Sequence, residues 1–411
     1  MTELIYEDSN RRYTRSGLEI VENIDREIDR NTNISTLFFF LSMQCVGPYL
    51  SQVAIDLGAT EFLVSLVGSM YAVTAVSLRP ISGILNDKGF SRTLIFLGSM
   101  MMTLSFLTYL LSKDLSTLFI GRALQGLSIA LFIPTSLYLA SIGPENIVAR
   151  RIVNRSFLIS LAATLGPLLG GFLVSVGSWK TLFLGGLLIT LIPLYSSYKI
   201  YKIGNEHRIN LIYKVKDSGD SSNKLEKILE KKFILILIIN FLFSSSYASL
   251  IIFMPAHHKI NGLEPWHTAS FFTISSVTNL SVRLLYSRLI RNEVLIKYAF
   301  AGLSLSSLAV FIISINPSDT NLIYLAAPLS GAGMGFTIPS LQSLALTSLN
   351  REVRGVGSSL YTVMFDLANM ISPPLLITLT HRYDEAIRYS VAVVMISLII
   401  LFIFSKESRR K

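Results

Sequence analysis

The segment from Leu115 to Ala140 carries a charged side chain inside an apolar run long enough to cross a bilayer. Within LFIGRALQG, Arg122, Gln125 and Gly126 have the spacing i, i+3, i+4, so they share one helical face. A charge in hydrocarbon costs about 3 kcal/mol on insertion scales. We expect this face to look into a wet central cavity, where water and a carboxylate can satisfy Arg122. The alternative is that Arg122 snorkels to the nearer membrane surface.

One acid lies well inside an apolar segment. Asp366 is about halfway along 355–380, and Asn369 and either Tyr361 or Thr362 lie near it on one helical face. Proton coupling needs a carboxylate whose protonation responds to substrate and to conformation. Asp366 is therefore the candidate coupling residue by elimination. The alternative is an acid that only makes a hydrogen bond across a helix interface.

Other polar side chains inside the apolar segments could line a cavity or simply pack: Gln44, Tyr71, Tyr247 and Asn279. Four histidines fall on one side of the membrane and are expected to be solvated loop residues rather than a metal or pH-sensing site: His257, His258, His267 and His381. The single cysteine allows no disulfide framework and no Cys/His metal spacing. We find no Walker-type glycine loop and no nucleophile motif, so we expect no enzyme, no cofactor and no metal.

The composition is that of an integral membrane protein. The 411 residues are 51% hydrophobic and only 15% charged, whereas soluble domains carry about 25% charged residues. Twelve apolar segments have spanning length: 34–56, 61–85, 92–112, 115–140, 153–175, 178–200, 233–255, 266–287, 296–315, 321–347, 355–380 and 386–405. The eighth is the most polar of them.

Lysine and arginine are distributed unequally between the two sets of loops. One set holds 28 of them: the N-terminal tail, 86–92, 141–155, 199–232, 288–297, 350–354 and the C-terminal tail. The opposite set holds five. We call the first side the basic side; the positive-inside rule predicts that it is cytoplasmic and contains both termini. The net charge of +10 thus reflects membrane topology and does not indicate a nucleic-acid partner.

Two segments outside the spans divide the chain. Residues 1–33 are polar, and the capping box Ser16-Gly17-Leu18-Glu19 predicts a short amphipathic helix there. Because the first apolar run is a full span, we expect no cleavable signal peptide. A cytoplasmic loop at 201–232 separates six spans from six. The expected domains are the tail 1–33, a bundle at 34–200, the loop 201–232, a bundle at 233–405 and a tail at 406–411.

The two halves resemble each other. GLSIALFIPTSLYLA (126–140) aligns with GAGMGFTIPSLQSLA (331–345) at an offset of 205 residues. Two further pairs agree with it: Arg79 with Arg283 at an offset of 204, and Pro167 with Pro373 at 206. A nearly constant offset at three separate places indicates a duplicated six-helix unit, an architecture typical of secondary transporters.

These features together resemble the major facilitator superfamily over about residues 34 to 405. The resemblance implies an all-α membrane protein with twelve transmembrane helices in two pseudo-symmetric six-helix bundles. Three local motifs carry it further.

The loop Gly83 to Arg92, GILNDKGFSR, resembles the family's G-x-L-x-D-[RK]-x-G-[RK]-[RK] loop. The matching residues are Gly83, Leu85, Asp87, Lys88 and Arg92. The family's second glycine falls on Phe90, and a glycine stands one place earlier at Gly89. The resemblance implies that Gly83 allows close helix approach and that Asp87 latches the halves against the eleventh helix near Arg354. The alternative is a solvated loop.

The stretch LFIGRALQG resembles the family's fourth-helix motif, in which an arginine precedes Q-G by two residues. Gly126 would let a neighbouring helix approach, and Gln125 offers both donors and acceptors. The resemblance implies that Arg122 and Gln125 take part in transport or coupling.

The stretch LGPLLGG resembles the G-P-x-x-G-G motif of the family's antiporters, with Gly166, Pro167, Gly170 and Gly171 as its members. Proline would bend the fifth helix and the glycines would pack it closely. The alternative is ordinary packing of small residues.

The resemblance implies a monomeric, proton-coupled secondary transporter of the plasma membrane that exports small organic molecules by alternating access. Its partners would be the substrate, protons and the lipid bilayer. A symporter or exchanger of small organic anions is the first alternative, because a cavity arginine could bind an anion. A non-transporting membrane sensor is the second, and the cytoplasmic segments of about 33 residues leave little room for an output domain.

Overall fold

A computed structural model describes residues 6–8, 11–13, 15–142, 145–207, 230–289, 295–349 and 354–409. Two short strands, β1 (Tyr6–Asp8) and β2 (Arg11–Tyr13), pair antiparallel with Tyr6 opposite Tyr13. Otherwise the described regular structure is helical. The expectation of an all-α membrane protein is confirmed.

The helices follow the apolar segments closely. The first span consists of α1 (Arg15–Val46), a 3-10 turn at Gly47–Tyr49 and α2 (Leu50–Asp56). Each later span is one helix: α3 (Glu61–Asp87), α4 (Ser91–Leu111), α5 (Leu115–Ala140), α6 (Glu145–Val176), α7 (Trp179–His207), α8 (Lys231–Ile260), α9 (Pro265–Leu289), α10 (Leu295–Ile315), α11 (Thr320–Thr347), α12 (Arg354–Thr380) and α13 (Tyr383–Arg409).

Within the described part of the chain, eleven spans are long and apolar enough to cross a membrane. The helix outside that set is α9, which is 25 residues long and contains the serine, threonine and asparagine residues that made the eighth segment weak. Its length of about 37 Å still exceeds a hydrocarbon core of about 30 Å. The chain is a multi-pass membrane protein.

The N-terminal region differs from its prediction. The capping box predicts a separate short helix, whereas α1 runs without a break from Arg15 to Val46 and includes most of the first span. The chain breaks instead at Gly47-Pro48, because proline cannot donate a backbone hydrogen bond to continue the helix. Most of the central loop, residues 208–229, lies outside the described ranges.

The helices pack within and between the two halves. In the first half α1 packs on α6 and α7, and α5 packs on α3 and α4; in the second half α8 packs on α12 and α13, and α11 on α9 and α10. The two halves meet mainly through α3 with α12 and α6 with α9. Since α9 and α12 are the second-half counterparts of α3 and α6, this arrangement obeys the duplication.

Candidate functional site

An ion pair links the two halves in the middle of the molecule. Arg79 of α3 donates from both Nη1 and Nη2 to the two carboxylate oxygens of Asp366 of α12. The side chains are 14% and 7% exposed. Asp366 lies about 18 Å along α12 from Arg354, near mid-membrane depth. The coupling candidate therefore has a buried partner from the opposite half.

Arg122 has different partners from those expected. It is 6% exposed; its Nε donates to Val67 O at 2.7 Å, and its Nη2 donates to Gly68 O. Its Nη1 donates to Gln125 Oε1 at 2.6 Å, and the guanidinium lies 4.5 Å from the ring centroid of Tyr71. Gln125 Oε1 also accepts from the Tyr109 hydroxyl. The expectation of a carboxylate partner is wrong for the described state, because backbone carbonyls of α3 accept from Arg122 instead.

The contacts of Arg122 stabilise α3 where the other half packs on it. A Cβ on Gly68 would clash with Ile252 Cδ1 of α8, so a larger residue there would require the Ile252 side chain to shift. Gly126 is equally close to α3, since a Cβ would lie 2.2 Å from Tyr71 O. The helical face predicted from the i, i+3, i+4 spacing therefore faces α3 rather than an open cavity.

The side opposite the basic side is closed by contacts between the halves. Asp56, at the end of α2, accepts from Lys259 Nζ at 2.9 Å and from Trp179 Nε1 at 2.6 Å. One turn earlier, Gln52 Nε2 donates to Pro255 O and to Thr268 Oγ1. These polar contacts tie the first span to α8 and α9.

The antiporter-type motif packs α6 against both halves. A Cβ on Gly166 would lie 2.5 Å from Gln44 Cβ, and a Cβ on Gly170 would lie 2.1 Å from Cys45 O. Gly171 instead faces α9 of the other half, where its Cβ would lie 2.6 Å from Ala269 Cβ. The Tyr49 hydroxyl donates to Pro167 O at 2.8 Å, which links the 3-10 turn of the first span to α6.

The loop between α3 and α4 shows where its glycines act. Nothing lies within 4 Å of a Cβ built on Gly83, so the close helix approach expected there is absent from this state. Gly89 has φ +87° and closes the turn after α3, with its N–H donating to Asn86 O. The shifted glycine thus supplies the left-handed residue that the turn requires. Lys88 is exposed and Arg92 is half-buried. The side chain of Asp87 is not among those that the structure describes.

Four of the predicted cavity residues lie in the second half, and their contacts differ. Asn369 donates to Phe365 O in its own helix, and Tyr361 donates to Ile338 O. Tyr247 lines a cavity of about 10 Å³ inside the second half, the room of one water molecule. Asn279 keeps a buried Oδ1 without a hydrogen-bond partner among the described residues.

The histidines are more ordered than expected. His258 is fully buried, with Nδ1 bonded to Thr268 Oγ1 and Nε2 to Pro317 O. His257 bonds Ser318 and His267 bonds the Tyr324 hydroxyl. The expectation of solvated loop residues is therefore wrong for these three: α8 runs to Ile260, past the predicted end of its span at 255, and His267 lies in the first turn of α9. Within the described residues, no group of three or more His, Cys, Asp or Glu could hold a metal ion.

Sequence reasoning missed the role of Arg79. It marks this arginine only as the counterpart of Arg283, although both Arg79 and Asp366 are charges placed inside apolar segments. An arginine and an acid that are each too costly alone in a membrane are a signal for pairing. That signal identifies the pair but not its geometry.

Comparison with known proteins decides the family. The family model described as Major Facilitator Superfamily matches residues 32–373. The chain belongs to the major facilitator superfamily. Members of this superfamily are transporters and not enzymes, so the expected absence of a catalytic site in the sequence agrees with the family.

Two curated members resemble part of the chain. The "Methylenomycin A resistance protein" of Bacillus subtilis is 35% identical over 146 residues, which are 34% of this chain and 31% of that protein. The "Putative multidrug resistance protein MdtD" of Escherichia fergusonii is 32% identical over 150 residues, 36% of this chain and 32% of that protein. The chain thus matches about a third of the length of these relatives.

Solved structures of the superfamily share the fold over nearly the whole chain. A bacterial homolog to the human lysosomal transporter Spinster, solved in an inward-facing and unoccupied conformation, gives a TM-score of 0.72 at 12% identity. The similarity covers 93% of this chain and 97% of that one. It confirms the two-bundle fold of a major facilitator superfamily protein.

Proposed function

We propose that this superfamily member is a proton-coupled exporter of small organic molecules, and that the Arg79–Asp366 pair couples the proton to the movement of the two halves. The pair is the observation that carries the proposal. It joins α3 to α12, and both side chains are largely removed from solvent.

The coupling follows from the charge on one side chain. Ionised Asp366 holds Arg79 and so favours the arrangement in which α3 and α12 meet at this depth. Protonation neutralises Asp366, so that separation of the two halves no longer leaves a charged carboxylate without its partner. A proton can shift such an equilibrium only because it binds the two arrangements with different affinity. Substrate and proton then compete: protonation releases substrate outside and permits the return step.

Several observations support export from the cytoplasm. The described state has contacts between the halves on the side opposite the basic side, at Asp56, Lys259 and Gln52, as export requires of the state that takes up a solute from the basic side. The positive-inside rule assigns that side to the cytoplasm. The antiporter-type glycines of α6 and the resistance named for the two curated relatives favour efflux.

The orientation can be checked with two exposed lysines, Lys88 on the basic side and Lys113 on the other. Cys45 is fully buried, so the wild-type chain should react little with a maleimide. In intact cells, a membrane-impermeant maleimide should label Lys113→Cys and should label Lys88→Cys only after lysis. The reverse pattern would contradict cytoplasmic termini.

The function itself is tested in vesicles. Purified protein is reconstituted, a pH gradient is imposed, and matched cationic, neutral and anionic small molecules are added while lumen pH is followed; protein-free vesicles are the control. We expect transport of at least one solute to drive protons across the membrane in the opposite direction. Solute flux without proton movement would contradict the coupling, and binding without flux would favour a sensor.

A second candidate, a symporter or exchanger of small organic anions, is favoured by one observation. Arg283 is a half-buried arginine that has no carboxylate partner among the described residues. In the same vesicle assay, solute and proton moving in the same direction would select this candidate over export.

A further inference from the structure

The second half contains a half-buried arginine that lacks, among the described residues, the carboxylate partner of its counterpart. Arg283 of α9 corresponds to Arg79 of α3 at an offset of 204 residues. Both Nη atoms of Arg79 donate to Asp366. The Nε of Arg283 is buried without a hydrogen-bond partner, and no described carboxylate lies within 4 Å of its side chain.

Helical position shows that Arg283 faces the protein interior. Asn279 lies four residues earlier on the same face, and its backbone oxygen lies 3.2 Å from the Cβ position of Gly335 in α11. The lipid-facing side of α9 is marked by Val277, Leu284 and Leu285, which are 46%, 55% and 59% exposed. Arg283 and Asn279 therefore lie away from lipid, and each has a buried polar atom without a partner.

The duplication explains why no described acid faces Arg283. At the offset of 206 that relates Pro167 to Pro373, the first-half position equivalent to Asp366 is Ser160. Its hydroxyl donates to Ser156 O of its own helix at 3.1 Å. The site on α9 thus keeps a positive charge that no described carboxylate neutralises, and an uncompensated charge inside a membrane protein is costly.

We propose that Arg283 binds an anionic group of the transported molecule, a carboxylate or a phosphate, in the interior between the halves. This inference rests on the proposed function, in that the interior between the halves carries the solute. A guanidinium presents two parallel N–H donors that match the two oxygens of either group. Asn279, one turn away, adds a polar contact beside it. Arg122 does not compete for this role, since carbonyls of α3 occupy its donors.

The probes are benzoate and inorganic phosphate, each compared with chloride at equal ionic strength. The full chain in phospholipid-free detergent is heated while unfolding is followed, with Arg382→Gln as a matched control because Arg382 is exposed. We expect one or both probes to raise the unfolding temperature of the wild type and of Arg382→Gln. Arg283→Gln should bind at least tenfold more weakly. Arg283→Lys, which keeps the charge but lacks the paired donors, should be intermediate, and it carries the comparison if Arg283→Gln does not fold. No rise over chloride in the wild type, or an equal rise in Arg283→Gln, would overturn the proposal.

A lipid headgroup offers the same phosphate chemistry and is separated by a second arm. The titration is repeated in nanodiscs of phosphatidylcholine with and without phosphatidylglycerol. Benzoate or phosphate should raise the unfolding temperature in both kinds of nanodisc. Stabilisation by phosphatidylglycerol that abolishes the probe effect would assign Arg283 to lipid and overturn the inference.

The vesicle assay distinguishes this inference from the proposed function. Anions that bind through Arg283 while no solute moves protons would contradict the function and leave the anion site standing. Proton movement driven by neutral or cationic solutes, and unchanged in Arg283→Gln, would leave the function standing and overturn the anion site.

Discussion

Asp366→Asn should abolish proton movement driven by solute in reconstituted vesicles. Asparagine has nearly the same shape as aspartate but cannot take up or release a proton, so the link between proton and conformation is lost. Arg79 also loses its ionic partner; breaking a buried pair by removing one member costs about 3–5 kcal/mol. Asp366→Glu should keep part of the coupling, because a carboxylate remains near Arg79.

Two further variants separate coupling from stability. Arg79→Gln should be destabilising because it leaves Asp366 buried without its partner, whereas the double variant Arg79→Gln/Asp366→Asn should recover part of the lost stability. The double variant should remain uncoupled. Asp114→Asn is the matched control, since Asp114 is exposed and asparagine can also cap the start of α5. Wild-type proton movement in Asp366→Asn would contradict the coupling role.

Gly170→Ala should strongly reduce the thermal stability of the purified protein. The added Cβ would lie 2.1 Å from Cys45 O, a backbone atom that cannot turn aside, so α6 and α1 must separate. Overpacking of this kind costs typically about 1–3 kcal/mol. A fall in the unfolding temperature, measured by fluorescence on heating, is the expected result.

Gly83→Ala is the matched control from the other glycine motif. Nothing lies within 4 Å of its Cβ position, and alanine is a better helix former than glycine. We expect its unfolding temperature to stay unchanged or to rise slightly. If Gly83→Ala nevertheless loses transport, the glycine is needed in the alternate state, as the latch interpretation implies. Equal loss of stability in Gly170→Ala and Gly83→Ala would contradict the packing account.

The fold could be predicted because membrane helices leave a strong local signal. Each span is a long apolar run, and the loops between the spans carry lysine and arginine on one side. The break at Gly47-Pro48 follows from proline chemistry, but the continuity of α1 through Arg15–Val46 does not. A capping box marks where a helix can start, and only the packing of the following residues decides whether that helix continues into the span.

The site could be predicted less completely, because its contacts join residues far apart in sequence. Arg79 and Asp366 are 287 positions apart, and no periodicity relates them. For Arg122 the sequence identifies the unusual charge, but its acceptors are carbonyls of Val67 and Gly68, and backbone atoms have no sequence signature. Residue type alone therefore indicates that a charge needs a partner without saying which.

The most direct test of the coupling account is the distance between the basic-side ends of the two halves as pH changes. In a Cys45→Ser background, spin labels at the exposed positions Lys88 and Lys297 report one site in each half. In the wild type, we predict one distance distribution in alkaline buffer, where Asp366 is charged and paired, and a shift to a second in acidic buffer. In Asp366→Asn the distribution should be independent of pH. A pH-dependent shift that persists unchanged in Asp366→Asn would contradict the claim that this carboxylate couples protons to movement.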